Sequence, residues 1–258
     1  PGAAGGVSDV FTYTVKDGDG DLSHATLTID VGDSTPQVMI PVAGGDHTTV
    51  YEAGLPARGG ESAGSNAASN SETTAGTITF TSVDGVQEVK LGDHVLSGTP
   101  QTFADGLTAS YVYDAATGAG TISYSYTLPD NTVGDNTSVS FAVQVKDVDG
   151  DTSAAGALKI NIVDDVPTAH ADVSSALTAD AAHGVLSNDV FGADGKDASG
   201  GVVGVASGTT GANLDSGATV GAQIDGTYGK LTLHADGSYT YVRNPGAAGG
   251  VSDVFTYT

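Results

Sequence analysis

The sequence predicts an all-β protein built as β-sandwiches, and three observations carry that reading. Apolar residues alternate with polar ones. Phe11, Tyr13 and Val15 interleave with Thr12, Thr14 and Lys16, and Leu158, Ile160 and Ile162 interleave with Lys159, Asn161 and Val163. A period of two buries one face of a strand and wets the other. The alternating stretches are short and separated by Gly- and Asp-rich turns, with 38 Gly in 258 residues. That is the pattern of a sandwich of many short strands. No stretch repeats its apolar residues at helical spacing, so no amphipathic helix is expected.

The elements follow in order. A first strand covers 11–15, and the acidic loop 17–21 leads into a second carrying Leu27, Ile29 and Val31. Further strands are expected near 77–81, 86–91, 107–113 and 121–127. Phe141, Val143 and Val145 then alternate with Ala142, Gln144 and Lys146, and the strand at 158–162 follows. Towards the end, 230–234 and 238–242 flank Asp236-Gly237, a strong hairpin-turn signal. The Ser-, Ala- and Gly-rich stretches 59–75 and 193–201 read as loops. Tyr111, Tyr113, Tyr124 and Tyr126 alternate into a core. The rival reading, an aromatic platform in a glycan- or protein-binding module, is weakened by the absence of Trp.

The chain repeats itself. Residues 1–14 and 245–258 are the same fourteen letters, PGAAGGVSDVFTYT, at an offset of 245 − 1 = 244 residues. That period is too long for a solenoid unit and suits two domains. A weaker repeat lies inside it. Phe11-Thr-Tyr-Thr-Val-Lys-Asp-Gly-Asp-Gly-Asp21 matches Phe141-Ala-Val-Gln-Val-Lys-Asp-Val-Asp-Gly-Asp151. One inserted residue later, Leu27, Ile29, Val31, Asp33 and Pro36 match Leu158, Ile160, Ile162, Asp164 and Pro167. Two different domains therefore end in the same strand–acidic loop–strand–linker module. The expected boundaries are 1–35, the final strands of a domain belonging to the preceding repeat; 36–166, a complete domain; and 167–258, a domain lacking its final strands.

The two acidic loops carry the chemistry. Asp17, Asp19 and Asp21 alternate with glycines, and Asp147, Asp149 and Asp151 recur at the same spacing. Three carboxylates at every second position converge only if the chain curls around something, and Gly20 and Gly150 permit that curl. Hard oxygen donors in a flexible loop suit Ca²⁺ better than the stiffer octahedron of Mg²⁺. An EF-hand is excluded, because its twelfth position would be Thr28 or Leu158 instead of Glu. A single such loop is as readily a solvated turn. Its recurrence at equivalent places decides for calcium, since each loop is followed one strand later by a Pro-containing acidic linker. The linkers hold Asp33 in Gly32-Asp33-Ser-Thr-Pro36, and Asp164 and Asp165 in Val163-Asp-Asp-Val-Pro167. In a sandwich these positions bring loop and linker ligands to each junction between domains. Glu52 and Asp189 are placed either to add a ligand there or to cap a turn.

Composition narrows the function. The chain carries 31 Asp plus Glu against 8 Lys plus Arg, a net charge of −23. This disfavours nucleic acid and anionic membrane surfaces as partners. No apolar run is long enough to insert into a bilayer. With no Cys, disulfides, thiol catalysis and Cys-ligated metals are excluded. The six His are scattered without HExxH spacing, and no GxSxG motif is present, so no enzyme is expected. Only 39% of residues are hydrophobic, and a self-repelling chain with that little core material is one that cations would hold together.

At these residues a resemblance emerges. Lys230-Leu-Thr-Leu-His-Ala-Asp-Gly-Ser-Tyr-Thr-Tyr241, Asp253-Val-Phe-Thr-Tyr257 and Val15-Lys-Asp-Gly-Asp-Gly-Asp21 resemble the VCBS and cadherin-like bacterial repeat. Val163-Asp-Asp-Val-Pro167 looks like a degenerate cadherin linker. The whole chain is similar to the extender region of RTX adhesins, bacterial surface proteins exported by type I secretion. The resemblance implies tandem Ig-like domains joined end to end, with calcium stiffening each junction. It also implies an extracellular stalk on the bacterial surface, serving cell adhesion and biofilm formation. The implied partners are adjacent repeats of the same chain, with no obligate oligomer. The second linker lacks the Asn residues of the cadherin motif, and the first has only Asp33.

Overall fold

The computed structural model describes residues 6–174 and 184–258. Among them there is no α-helix. The only helical turns among the described residues are 3₁₀ segments at Glu52–Gly54, Val185–Ser187 and Gly217–Thr219. Among the described residues no helix is long and apolar enough to cross a membrane. The chain divides into two compact units, Pro1–Glu52 with Ser69–Asp164, and Ala53–Ala68 with Asp165–Thr258.

The first unit begins with a long hairpin of β1 (Val7–Lys16) and β2 (Leu22–Val31). Ten strands follow: β3 (Gln37–Met39), β4 (Thr49–Tyr51), β5 (Thr73–Thr81), β6 (Glu88–Leu91), β7 (His94–Val95), β8 (Gln101–Thr102), β9 (Leu107–Asp114), β10 (Ala119–Thr127), β11 (Asn136–Lys146) and β12 (Gly156–Val163). They form two five-stranded sheets, in the orders β3-β5-β10-β9-β8 and β4-β12-β11-β6-β7. All pairings are antiparallel except β4 with β12. Burial alternates along β10 and β12, as the period-two pattern requires. The inward faces meet where Tyr126 of β10 lies against Phe141 of β11, ring centroids 5.8 Å apart. Ile78, Phe80, Val89, Leu91, Leu107, Ile122, Val143, Val145, Leu158 and Ile160 complete this core.

Tyr124 and Tyr126 are buried in that core, as their alternation predicted. Tyr113 stacks on Phe80 and donates its hydroxyl to the Ser82 carbonyl. The four tyrosines therefore do not form an exposed platform.

The β1–β2 hairpin departs from expectation. Its alternation predicts one buried face, yet every residue of both strands is exposed. The physical reason is that the two strands pair only with each other, with no second layer against them. The stretch 59–75 also ends earlier as a loop than its composition suggests, because β5 begins at Thr73.

The second unit contains β13 (Val205–Ser207), β14 (Gln223–Asp225), β15 (Gly229–Leu233), β16 (Tyr239–Arg243) and β17 (Phe255–Tyr257). β13 pairs with β17, and β14-β15-β16 form a meander. Asp236-Gly237 turns the β15–β16 hairpin, with Gly237 at φ +84°. The core is small: Val202, Val205, Leu231 and Leu233, with Phe255 and Tyr257 packed against them.

Candidate metal centre

The two acidic loops are the same structure built twice. In the first, Asp17 N–H donates to the Asp21 carbonyl at 3.0 Å. Asp17 Oδ1 accepts from Gly20 and Asp21 N–H at 2.9 and 2.7 Å. In the second, Asp147 N–H donates to the Asp151 carbonyl at 3.0 Å. Asp147 Oδ1 accepts from Gly150 and Asp151 N–H at 3.0 and 2.7 Å. Gly20 and Gly150 sit at φ +112° and +114°, a region closed to side chains with a Cβ. The motif Asp-x-Asp-Gly-Asp thus encodes its own curl. The first Asp closes the turn with one oxygen and the Gly lets the backbone reverse.

The surroundings differ. In the first loop the carboxylates of Asp17, Asp19 and Asp21 lie within 4.8 Å of one another and are exposed. A hydrogen bond shared with Asp19, and then the Asp21 N–H, hold the Asp17 carboxyl below the usual carboxylate range. In the second loop Asp147 is fully buried, and its Oδ2 meets no hydrogen-bond donor. Asp149 Oδ1 is likewise buried without a donor. The neighbouring Asp147 carboxylate, and then burial, push the Asp149 carboxyl up.

Two further acids complete this second cluster. Asp33, from the linker after β2, and Asp84, from the turn between β5 and β6, bring carboxylate oxygens within 4.8 Å of Asp149 and of each other. Asp84 Oδ2 also accepts from Ser34 N–H at 2.8 Å and Ser34 Oγ at 2.9 Å, tying the linker to the sandwich. Among the described residues, no Lys or Arg pairs with Asp33, Asp84, Asp147 or Asp149.

Buried without donors, Asp147 Oδ2 and Asp149 Oδ1 are desolvated, and the neighbouring acids repel them. A divalent cation removes both penalties. Ca²⁺ binds oxygens at ~2.3–2.6 Å, so two ligands of one ion lie at most about twice that distance apart. The 4.8 Å spread of the Asp33, Asp84 and Asp149 oxygens fits a single ion.

The other predicted ligands fall in different settings. The Asp151 carboxylate is outside the grouped oxygens, and the residue contributes its backbone to the loop. Glu52 and Asp164 approach each other within 4.8 Å. Glu52 is fully buried, and its Oε1 accepts from Thr132 N–H and Oγ1 at 2.7 and 2.8 Å. Asp165 is held at both oxygens by protein donors, Ser65 on each and the Ala193 N–H on Oδ2. Asp189 accepts from His170 N–H at 2.6 Å and belongs to no metal-like cluster among the described residues.

Asp84 is the residue that sequence reading missed. Its Asp84-Gly85 pair reads only as a turn, with Gly85 at φ +95°. Its approach to Asp33 and Asp149 joins positions far apart in the chain. Compared with family models and with curated proteins, the chain matches none.

Proposed function

We propose that this chain is a calcium-stiffened extender repeat of a large bacterial adhesin, made of tandem Ig-like sandwiches, non-enzymatic, and displayed outside the cell. One observation carries the reading. Asp149 gathers with Asp33 and Asp84, and its neighbour Asp147 presents a fully buried carboxylate oxygen with no donor. Asp33 comes from the linker and Asp149 from the sandwich loop, so one ion held by both would fix the linker's angle of entry. The verbatim repeat at 1–14 and 245–258 supports serial use of that junction.

Extracellular calcium modules bind at ~10⁻⁴–10⁻³ M. Calcium outside a cell would fill such sites, and the low calcium inside would leave a chain bound for export unclamped. At ten times Kd, each site adds about 1.4 kcal/mol to folded stability. A shift of about 2–6 °C in melting temperature per site is then expected for a protein of this size.

The test is a calcium titration of the wild-type chain and of the Asp147→Asn/Asp149→Asn variant. It is read by calorimetry and by melting temperature, with small-angle scattering on a two-repeat protein. Wild type should bind calcium and melt higher, the variant should lose one binding event, and chelator should compact the two-repeat protein. Equal melting and equal dimensions with and without calcium would defeat the reading.

A further inference from the structure

We propose that the segment Ala53–Ala68, looped out between β4 and β5, is a strap that holds the chain where it re-enters the second unit, gripping the Asp165 carboxylate without a metal ion. This goes beyond the calcium reading and does not rest on it. One linker acid, Asp33, waits for an ion, and another, Asp165, is held by protein alone.

The strap is built to aim one residue. Gly64 N–H donates to the Leu55 carbonyl and Asn66 N–H to the Ala53 carbonyl, both at 2.8 Å. These bonds close the neck of the strap beside Leu55, which is fully buried. At its tip Arg58 and Glu61 form a β-bridge and an ion pair at 3.3 Å. Ala67 N–H donates back to the Gly64 carbonyl at 3.3 Å, so Ser65 is the first corner of a turn. The N–H groups on either side of Ser65 are spent inside the strap, and its own points outward. It meets Asp165 Oδ2 at 2.7 Å, and the Ser65 hydroxyl donates to Asp165 Oδ1 at 2.5 Å.

A second segment closes on Asp165 from its other side. Ala193 N–H donates to Oδ2 at 3.0 Å. Gly192 stands at φ +74°, and a Cβ on it would lie 2.0 Å from the Asp165 carbonyl oxygen. Only glycine permits that approach, and the approach brings the next N–H to the carboxylate. Thr168 and Val190 exchange N–H and carbonyl at 2.8 and 3.0 Å, which keeps the two segments side by side.

A carboxylate taken out of water needs hydrogen bonds or a cation. Asp165 is only 7% exposed, and both its oxygens have donors, three in all. Hydrogen bonds to an ionised acceptor are the strong kind. Asp165 also belongs to none of the acid clusters among the described residues. Asp147 and Asp149 are the opposite case, with buried oxygens that meet no donor. The strap is continuous with the first unit at both ends, through Glu52–Ala53 and Ala68–Ser69. The second unit therefore draws part of its fold from chain looped out of the first, whatever the calcium level.

The test uses the intact 258-residue chain, in chelator and in millimolar calcium. Arg58 and Arg243 are the two Arg of the chain, so an Arg-specific protease reads the strap by cleavage at Arg58. Wild type should resist that cleavage in chelator. Asp165→Asn should speed it on the order of tenfold, because cleavage follows the opened population. The same variant should lower the melting temperature by about 4–8 °C, equally with and without calcium. By calorimetry it should bind as many calcium ions as wild type. Ser65→Ala, which keeps its N–H, should act in the same direction more weakly. The double variant should fall short of the sum of the two, as partners in one contact do. Fast cleavage in chelator that only calcium slows, a calcium ion lost with Asp165→Asn, or effects that simply add overturns the proposal. Asp147→Asn/Asp149→Asn should leave cleavage at Arg58 unchanged. A wild type that binds no calcium yet resists cleavage would defeat the calcium reading and leave the strap standing.

Discussion

At the residue scale, Asp147, buried, and Asp253, half-buried, show what a carboxylate drawn away from water needs. Asp253 has its donors supplied by protein. Burial opposes its charge, but the Tyr241 hydroxyl and the Tyr228 and Thr227 N–H groups outweigh it and hold the carboxyl below the usual range. A carboxyl depressed in the folded state stabilises above its unfolded pKa of ~3.9, and that contribution fades as pH falls through the folded value. Asp253→Asn should therefore destabilise the protein near neutral pH, with the difference narrowing in acid. A pH series of denaturant midpoints checks this, and a constant gap would contradict it. Asp147 has a donor set for only one oxygen. Asn in its place keeps the Oδ1 acceptor and turns a donor toward Asp149. Leaving a buried acceptor unmet costs about 1–3 kcal/mol, so Asp147→Asn should raise the melting temperature without calcium and blunt its rise with calcium. A fall in chelator would contradict this account. These roles were partly legible. The spacing of Asp147, Asp149 and Asp151 points to a curled acidic loop, but nothing local distinguishes Asp147, which is buried, from Asp17, which is exposed.

At the scale of elements, alternation was a sound guide wherever a strand had a layer to pack against. It located β9, β10, β11, β12, β15 and β16 to within a few residues. The short strands β3, β4, β7 and β8 have two or three residues each, too few to display a period. Glycine positions were legible in part. Gly150 stands at φ +114° with open space around its Cα. Ala there meets no neighbour, yet its backbone must leave that region or carry strain of about 1–3 kcal/mol. Gly150→Ala should weaken calcium binding while leaving the sandwich folded, as titration and far-ultraviolet dichroism together would report. Gly120 is different. A Cβ on it would lie 2.0 Å from the Phe80 ring. Gly120→Ala should lower stability by about 1–3 kcal/mol whether or not calcium is present, and a calcium-dependent loss would speak against a packing cause. No sequence signal announced this contact, because it joins β10 to β5 across the sheet.

At the scale of the whole molecule, the charge of −23 sets the response to ions. Monovalent salt screens repulsion between exposed acids but reaches buried ones poorly. In chelator, stability should rise with sodium chloride and still fall short of the level reached in millimolar calcium. Equal stabilisation by sodium at matched ionic strength would reduce calcium to a screening ion. The division into two units was only partly legible. The segment Ala53–Ala68 belongs with the second compact unit, and no composition shift marks that. A last consequence concerns force. In the first unit β4, early in its sandwich, runs parallel to β12, its last strand, through Thr49↔Asn161, Val50↔Ile162 and Tyr51↔Val163. Chain leading into β4 and chain leaving β12 depart from opposite ends of that ladder. Tension along the chain therefore shears its hydrogen bonds together instead of peeling them one by one.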